Sequence, residues 1–215
     1  MTPTSKTRFI INTATVVSMV FSPLFIPVYA TIIAFVCTAL HYLPLSTRLI
    51  CLTVVTTFTA ILPFFILFIL KVTGKISDID ISNRRQRALP LILTFVCYVL
   101  ATLYIYAMHA PSWLTMYFVS GVATALLFGI ITSALHWKIS MHGAGTGNIM
   151  GFVTALQAIG SADINMMWLI TAAILLAGIV GTARVILNKH TLMQVFCGNA
   201  FSAAVTFCLI FFLCR

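Results

Sequence analysis

His142, His190, Arg84, Arg87, Arg184, Ser140 and Gln194 carry most of the chemistry that this 215-residue chain offers. They fall in three short segments: Arg84-Arg85-Gln86-Arg87, Ser140-Met141-His142-Gly143, and Arg184 followed by His190 and Gln194. Guanidinium groups hold phosphate oxygens through paired N–H donors. An imidazole can attack phosphorus or pass a proton to a leaving oxygen. Arginines and two histidines together therefore point to phosphoryl chemistry.

Each segment also has a plainer reading. Arg84 and Arg87 precede Pro90, which suits the first turn of a helix, so a phosphate would meet the N–H groups there. The same arginines suit a basic loop at a membrane surface. His142 stands beside glycines 143, 145 and 147. Such glycines either expose backbone N–H groups to an anion or let two helices pack closely, and close packing is the better account of the glycines alone. Ser140 and His142, two apart, suit a loop presenting both to one ligand. Gln194 lies one helical turn after His190, so its amide oxygen is placed to hold a ring N–H and fix the tautomer. A histidine at a helix end is otherwise an ordinary interfacial residue.

The elements that must position these groups are membrane helices. Apolar side chains make up 61% of the chain and charged ones 7%, where a soluble domain has about 25% charged. Seven apolar runs are expected, at roughly 10–40, 47–70, 89–108, 113–135, 148–160, 166–187 and 191–214. The fold class is all-α: a polytopic bundle of six to seven transmembrane helices forming one domain over 1–215. The first run carries Pro23 and Pro27 and is expected to kink. It is too long for the core of a signal peptide. The fifth is short and should extend into the Gly-rich segment. The six cysteines, without CxxC spacing, read as buried thiols.

Alternation of the runs puts the N-terminus and the loops 71–88, 136–147 and 185–190 on one side, and therefore all three segments together. That side carries ten of the twelve Lys and Arg residues, Arg48 and Arg215 being the others. Setting aside Arg84, Arg85, Arg87 and Arg184 leaves six against two, which places the segments in the cytoplasm by the positive-inside rule. The net charge of +9 has anionic lipid headgroups as its natural partner, and no soluble basic surface exists for nucleic acid.

The three segments together resemble the type 2 phosphatidic acid phosphatases. That family's signature is Lys, six residues, Arg-Pro; then Pro-Ser-Gly-His; then Ser-Arg, five residues, His, three residues, Asp. Arg184 and His190 match the third part, with Ala183 for Ser and Gln194 for Asp. Ser140 and His142 match the second, with Ile139 and Met141 substituted. Of the first only Pro90 stands in register, with Arg84 and Arg87 as displaced cations. The span from about 84 to 194, roughly half the chain, carries the likeness.

The resemblance implies a multi-pass protein of the cytoplasmic membrane that hydrolyses a phosphomonoester or diphosphate of a lipid. Candidate substrates are phosphatidate, phosphatidylglycerophosphate, an undecaprenyl diphosphate or a lipid A phosphate. It implies His190 as nucleophile forming a phosphohistidine, and His142 as the acid that protonates the leaving oxygen. Arg84, Arg87, Arg184 and Ser140 are implied as phosphate ligands, and no metal or other cofactor. Many bacterial relatives turn this site outward, against the charge count. Only three acidic residues occur, Asp78, Asp80 and Asp163, too few for a Mg²⁺-dependent phosphotransferase.

Gln194 is the departure with chemical weight. A carboxylate stabilises the imidazolium as it forms, whereas an amide only orients the ring; in the serine protease triad the analogous loss costs about 10⁴ in rate. The alternative is a scaffold that binds or transports a lipid phosphate without turnover.

Overall fold

The structure, a computed structural model, describes residues 5–77, 88–134 and 137–215. Among these the chain is helical throughout, with one isolated bridge between Thr38 and Ala162. The helices are α1 (Ser5–Val20), α2 (Ile26–Cys37), α3 (Leu45–Thr56), α4 (Leu62–Val72), α5 (Ala88–Ala107), α6 (Ser112–Ala134), α7 (Met141–Ala158), α8 (Met167–Ile186) and α9 (Leu192–Leu213). A π-helical turn, Thr57–Ile61, joins α3 to α4. It ends just before Pro63, whose missing N–H interrupts the ordinary helical ladder.

Four helices are long and apolar enough to cross a membrane: Leu45–Val72, Ser112–Thr132, Met167–Ile186 and Leu192–Leu213. Ile26–Cys37 and Ile92–Ala107 are apolar but shorter. Large side chains such as Leu175, Phe196 and Phe212 remain more than half exposed, as expected of helices whose outer faces meet lipid rather than water.

The first apolar run differs from expectation. It is not one kinked helix but two, separated by the turn around Ser22–Phe25. Pro27 lacks the N–H that would bond Pro23 O, and the turn leaves the last carbonyls of α1 without helical partners, so side chains serve them instead. Tyr29 Oη donates to Val20 O (2.7 Å), Tyr98 Oη to Pro23 O (2.8 Å), and His142 Nε2 to Ser18 O (3.1 Å). With these groups satisfied, the backbone can reverse inside an apolar bundle. At its other end α2 is fastened to the turn after α7: Asp163 N donates to Cys37 O (2.9 Å), and Asp163 Oδ2 lies 3.4 Å from His41 Nδ1.

α1 therefore finishes, rather than starts, at the end of the bundle where α7 begins. Ser18 and Ser22 stand with Arg184 and Leu187 at the end of α8, and residues Phe9 to Val17 continue along α8 toward Ile174. The two helices run in the same direction. Lys6 and Arg8 consequently lie at the far end of α1, not beside the starts of α7 and α9. The expectation that the N-terminal segment shares their side is corrected, and the six-against-two charge count loses two of its six.

The centre of the bundle is α7, which the fifth apolar run only partly anticipated. Its N-terminal half is the Gly-rich segment, folded as helix rather than loop, and eleven of its residues from Gly143 to Leu156 are buried. α7 and α9 lie parallel and in backbone contact. A Cβ on Gly143 would stand 2.6 Å from Val195 O, while on Gly147 and Gly151 it would collide with Asn199 O and Ala203 O. Glycines four apart on α7 thus meet residues four apart on α9, which is the close approach that small residues allow between membrane helices. Polar side chains line the same seam. Asn199 Nδ2 donates to Thr146 Oγ1 (3.0 Å), Ser202 Oγ to Ala144 O (2.6 Å), and Thr206 Oγ1 to Asn148 Oδ1 (2.9 Å).

Candidate functional site

Two of the three polar segments meet where α7 and α9 begin. Ser140 N donates to Gln194 O (3.2 Å), and Lys138 Nζ donates to Lys189 O (3.1 Å). Gly198 explains the tightness: a side chain there would press on Ser140 O. Arg84 and Arg87, with the rest of the arginine cluster, lie outside the described residues.

The turn from α8 into α9 presents Lys189 and His190. Asn188 adopts the left-handed conformation (φ 51°). Lys189 N reaches back to Arg184 O (3.1 Å), a six-to-one bond that closes the helix end and reverses the chain. α9 then opens with a capping box. Thr191 Oγ1 accepts from Gln194 N (3.4 Å), and Gln194 Oε1 accepts from Thr191 N (3.2 Å).

His190 Nδ1 lies 3.2 Å from the same Gln194 Oε1. Because that oxygen already accepts a backbone N–H, it is the carbonyl of the amide, and His190 must carry its proton on Nδ1. Nε2 then holds the lone pair of the neutral ring. His142 is fixed in the opposite sense: a carbonyl can only accept, so Nε2–H points at Ser18 O and Nδ1 is the nitrogen able to exchange a proton. In the same bond His142 caps the end of α1, a structural duty that the sequence does not announce.

Ser140 is fully buried as the N-cap of α7, its hydroxyl accepting from Gly143 N (3.2 Å). Its oxygen serves the helix, not an open cavity. The Gly-rich segment likewise turns its glycines to α9 and α2.

His142 and Arg184 open onto one cavity of about 600 Å³, bounded by the end of α1, the turn before α2, α4 and the end of α8. Lys71 and Lys189 line it too, together with the apolar side chains of Met19, Leu24, Phe25, Phe64 and Leu187. Arg184 is buried, with 4% of its surface exposed. A cation so placed is costly in an apolar bundle, which makes Arg184 a candidate functional residue. His190 and Gln194 do not line this cavity; His190 follows Lys189 at its edge. No motif marks Lys71 and Lys189, although alternation of the apolar runs puts both on the same side as the histidines. Their signal was the register of helix ends, which a motif does not encode.

Among the described residues no group of three or more His, Cys, Asp or Glu side chains is placed to share a metal ion. Comparison with protein-family models, with curated proteins and with solved structures finds no match to this chain.

Proposed function

We propose that the chain is a multi-pass membrane protein that hydrolyses a lipid phosphate, in the manner of the type 2 phosphatidic acid phosphatases. One observation carries the reading: buried Arg184 and His142 share a cavity with Lys71, Lys189 and apolar side chains. Such a cavity suits a ligand that is anionic at one end and hydrocarbon at the other. The six to seven crossings of the sequence reading become eight if each half of the first run and the short α7 also cross. A cytoplasmic membrane is the location this reading assigns.

The chemistry follows from the tautomers. His190 Nε2 attacks phosphorus, and the bond from phosphorus to the lipid oxygen breaks. That oxygen takes the Nδ1 proton of His142, which enters the step doubly protonated, while Arg184 balances charge on the phosphoryl oxygens. Water then attacks the phosphohistidine, giving its proton to His142 Nδ1 as the P–N bond breaks, and inorganic phosphate leaves. Gln194 keeps His190 in the productive tautomer but adds no charge to stabilise the imidazolium.

The test is phosphate release by the purified protein from phosphatidate, phosphatidylglycerophosphate, undecaprenyl diphosphate and lipid A phosphate. Release should fall at least about 10³-fold in His190→Ala, as removal of a nucleophile requires. Absence of release from all four ends the hydrolase reading.

A second reading, binding or transport of a lipid phosphate without turnover, is favoured by two observations. Gln194 spends its oxygen on the capping box as well as on His190, and His142 caps α1. Undiminished lipid binding in His190→Ala, with no phosphate released by the parent protein, would establish it.

A further inference from the structure

Ser18, in the last turn of α1, lines the cationic cavity alongside His142 and Arg184. The residue is 6% exposed, and its hydroxyl is buried with no hydrogen-bond partner among the described residues. Other hydroxyls of α1 behave differently. Thr13 Oγ1 donates to Phe9 O (3.0 Å) and Thr15 Oγ1 to Ile11 O (2.8 Å), each closing on the carbonyl four residues back. Ser18 makes no such bond. A buried hydroxyl without a partner has given up its hydrogen bonds to water for nothing in return. Buried polar groups are nearly always paired, and one that borders a cavity is placed to be paired by what enters it.

The rest of the cavity says what kind of group that is. Arg184, Lys71 and Lys189 carry donors and no acceptor. The ligand that suits them is rich in acceptor oxygens, and a serine O–H adds one more donor of the same kind. The hydroxyl turns about a single bond, so it meets such a ligand without movement of the backbone. The backbone is in any case committed, because Ser18 O accepts from His142 Nε2 (3.1 Å).

We infer that Ser18 is a further phosphate-binding residue, its hydroxyl donating to an oxygen of the phosphate that lies at Arg184 and His142; the inference rests on the lipid-phosphate reading of that cavity. Ser18 stands far outside the span from about 84 to 194 that carries the family likeness. The first helix then belongs to the site as well as to its scaffold, through both the carbonyl and the hydroxyl of one residue.

Ser18→Ala separates a binding role from a structural one, since it removes the hydroxyl and keeps the carbonyl that holds His142. A hydroxyl that supports the helix costs stability when it is lost; one that awaits a ligand does not. We would measure Kd for dioleoyl phosphatidate and for dioleoylglycerol, the same lipid without its phosphate, by native mass spectrometry. The full chain is used on a His190→Ala background, so that no lipid is consumed. Ser18→Ala should weaken phosphatidate binding about tenfold, equivalent to about 1.4 kcal/mol. Dioleoylglycerol binding should stay as it was, and the lipid-free Tm should be unchanged or raised. Thr15→Val, which removes a hydroxyl already spent on Ile11 O, should leave phosphatidate binding unaltered. A similar loss for inorganic phosphate, read from the rise in Tm that it produces, would identify the free ion as a second source of the same group and supports the inference equally.

An unchanged Kd for phosphatidate in Ser18→Ala overturns the inference alone. So does an equal loss in Thr15→Val or for dioleoylglycerol, and so does a lowered lipid-free Tm or a failure of Ser18→Ala to fold. If the protein with Ser18 intact binds no phosphatidate, the lipid-phosphate reading itself fails and the inference falls with it.

Discussion

α7 with α9 and α1 with α8 are both pairs of parallel helices, yet one pair is sealed and the other leaves room for a ligand. Glycines at four-residue intervals bring α7 onto the backbone of α9, and a run of hydroxyl and amide groups stitches the contact. α1 buries only Ala14 and Ser18, and from Phe9 to Val17 it lines an open apolar groove with Ile174 to Ile186 of α8. Each pair contributes to the candidate site. The sealed pair holds His142, His190 and Gln194 in fixed register; the open pair supplies Arg184 and the end of α1 that His142 caps. The difference is one of packing: glycines against backbone in one pair, bulky apolar side chains along an open groove in the other.

The comparison can be broken most decisively at Gly147. Any side chain there meets the Asn199 backbone, which cannot rotate away. Gly147→Leu should cost at least the ~1–3 kcal/mol usual for overpacking, and yield of monodisperse protein in detergent should collapse. A normal Tm for this variant would show that the seam is not the frame.

Gln194→Glu sharpens the chemical side of the same frame. Glutamate keeps the capping box and its bonds to Thr191 N and His190, and adds the negative charge that the resemblance leads one to expect. Turnover of a lipid phosphate should rise about tenfold, with Tm unchanged or slightly raised by the charge at the start of α9. A fall in turnover would mean that the amide, not the charge, is what the site needs.

Asn148→Ala asks whether polar bonds or close packing hold the seam. Asn148 accepts from Ser202 and Thr206, but bonds between membrane helices average only about 0.6 kcal/mol and reach about 1.7. Ser202 also retains Ala144 O as a partner. We expect a loss of about 1 kcal/mol in urea or thermal unfolding, smaller than that of Gly147→Leu. The reverse order would make the polar groups the principal fastening. Smallest of all, Gly178→Leu in the open pair should shift stability by less than about 0.5 kcal/mol. A shift matching that of Gly147→Leu would remove the contrast between the pairs.

Much of this was legible in the residues. Long apolar runs marked the helices from Leu45 onward, and their alternation put the His142 and His190 segments at one end of the bundle. Glycines 143, 145 and 147 pointed to close helix packing, and they pack. The four-residue step from His190 to Gln194 foretold their hydrogen bond. What composition could not disclose was the reversal at Ser22–Phe25. Hydropathy is blind to direction, and the break depends on hydroxyls of Tyr29 and Tyr98 arriving from other turns and helices to satisfy stranded carbonyls. The burial of Ser140 was equally hidden, since a serine that caps a helix and one that meets a ligand share the same neighbours in sequence. Lys71 and Lys189 entered the site only because two helix ends, far apart along the chain, stop at the same depth.

The reversal at Ser22–Phe25 also alters where the chain emerges. α1 rises toward the site end and α9 descends from it, so Ser5 and Arg215 come out at the same end of the bundle. Seven crossings would have put them on opposite faces of a membrane. A protease-cleavable reporter placed ahead of Ser5 and another placed after Arg215 should therefore be shaved from the same side of sealed vesicles, with Lys189 and its loop protected on the other.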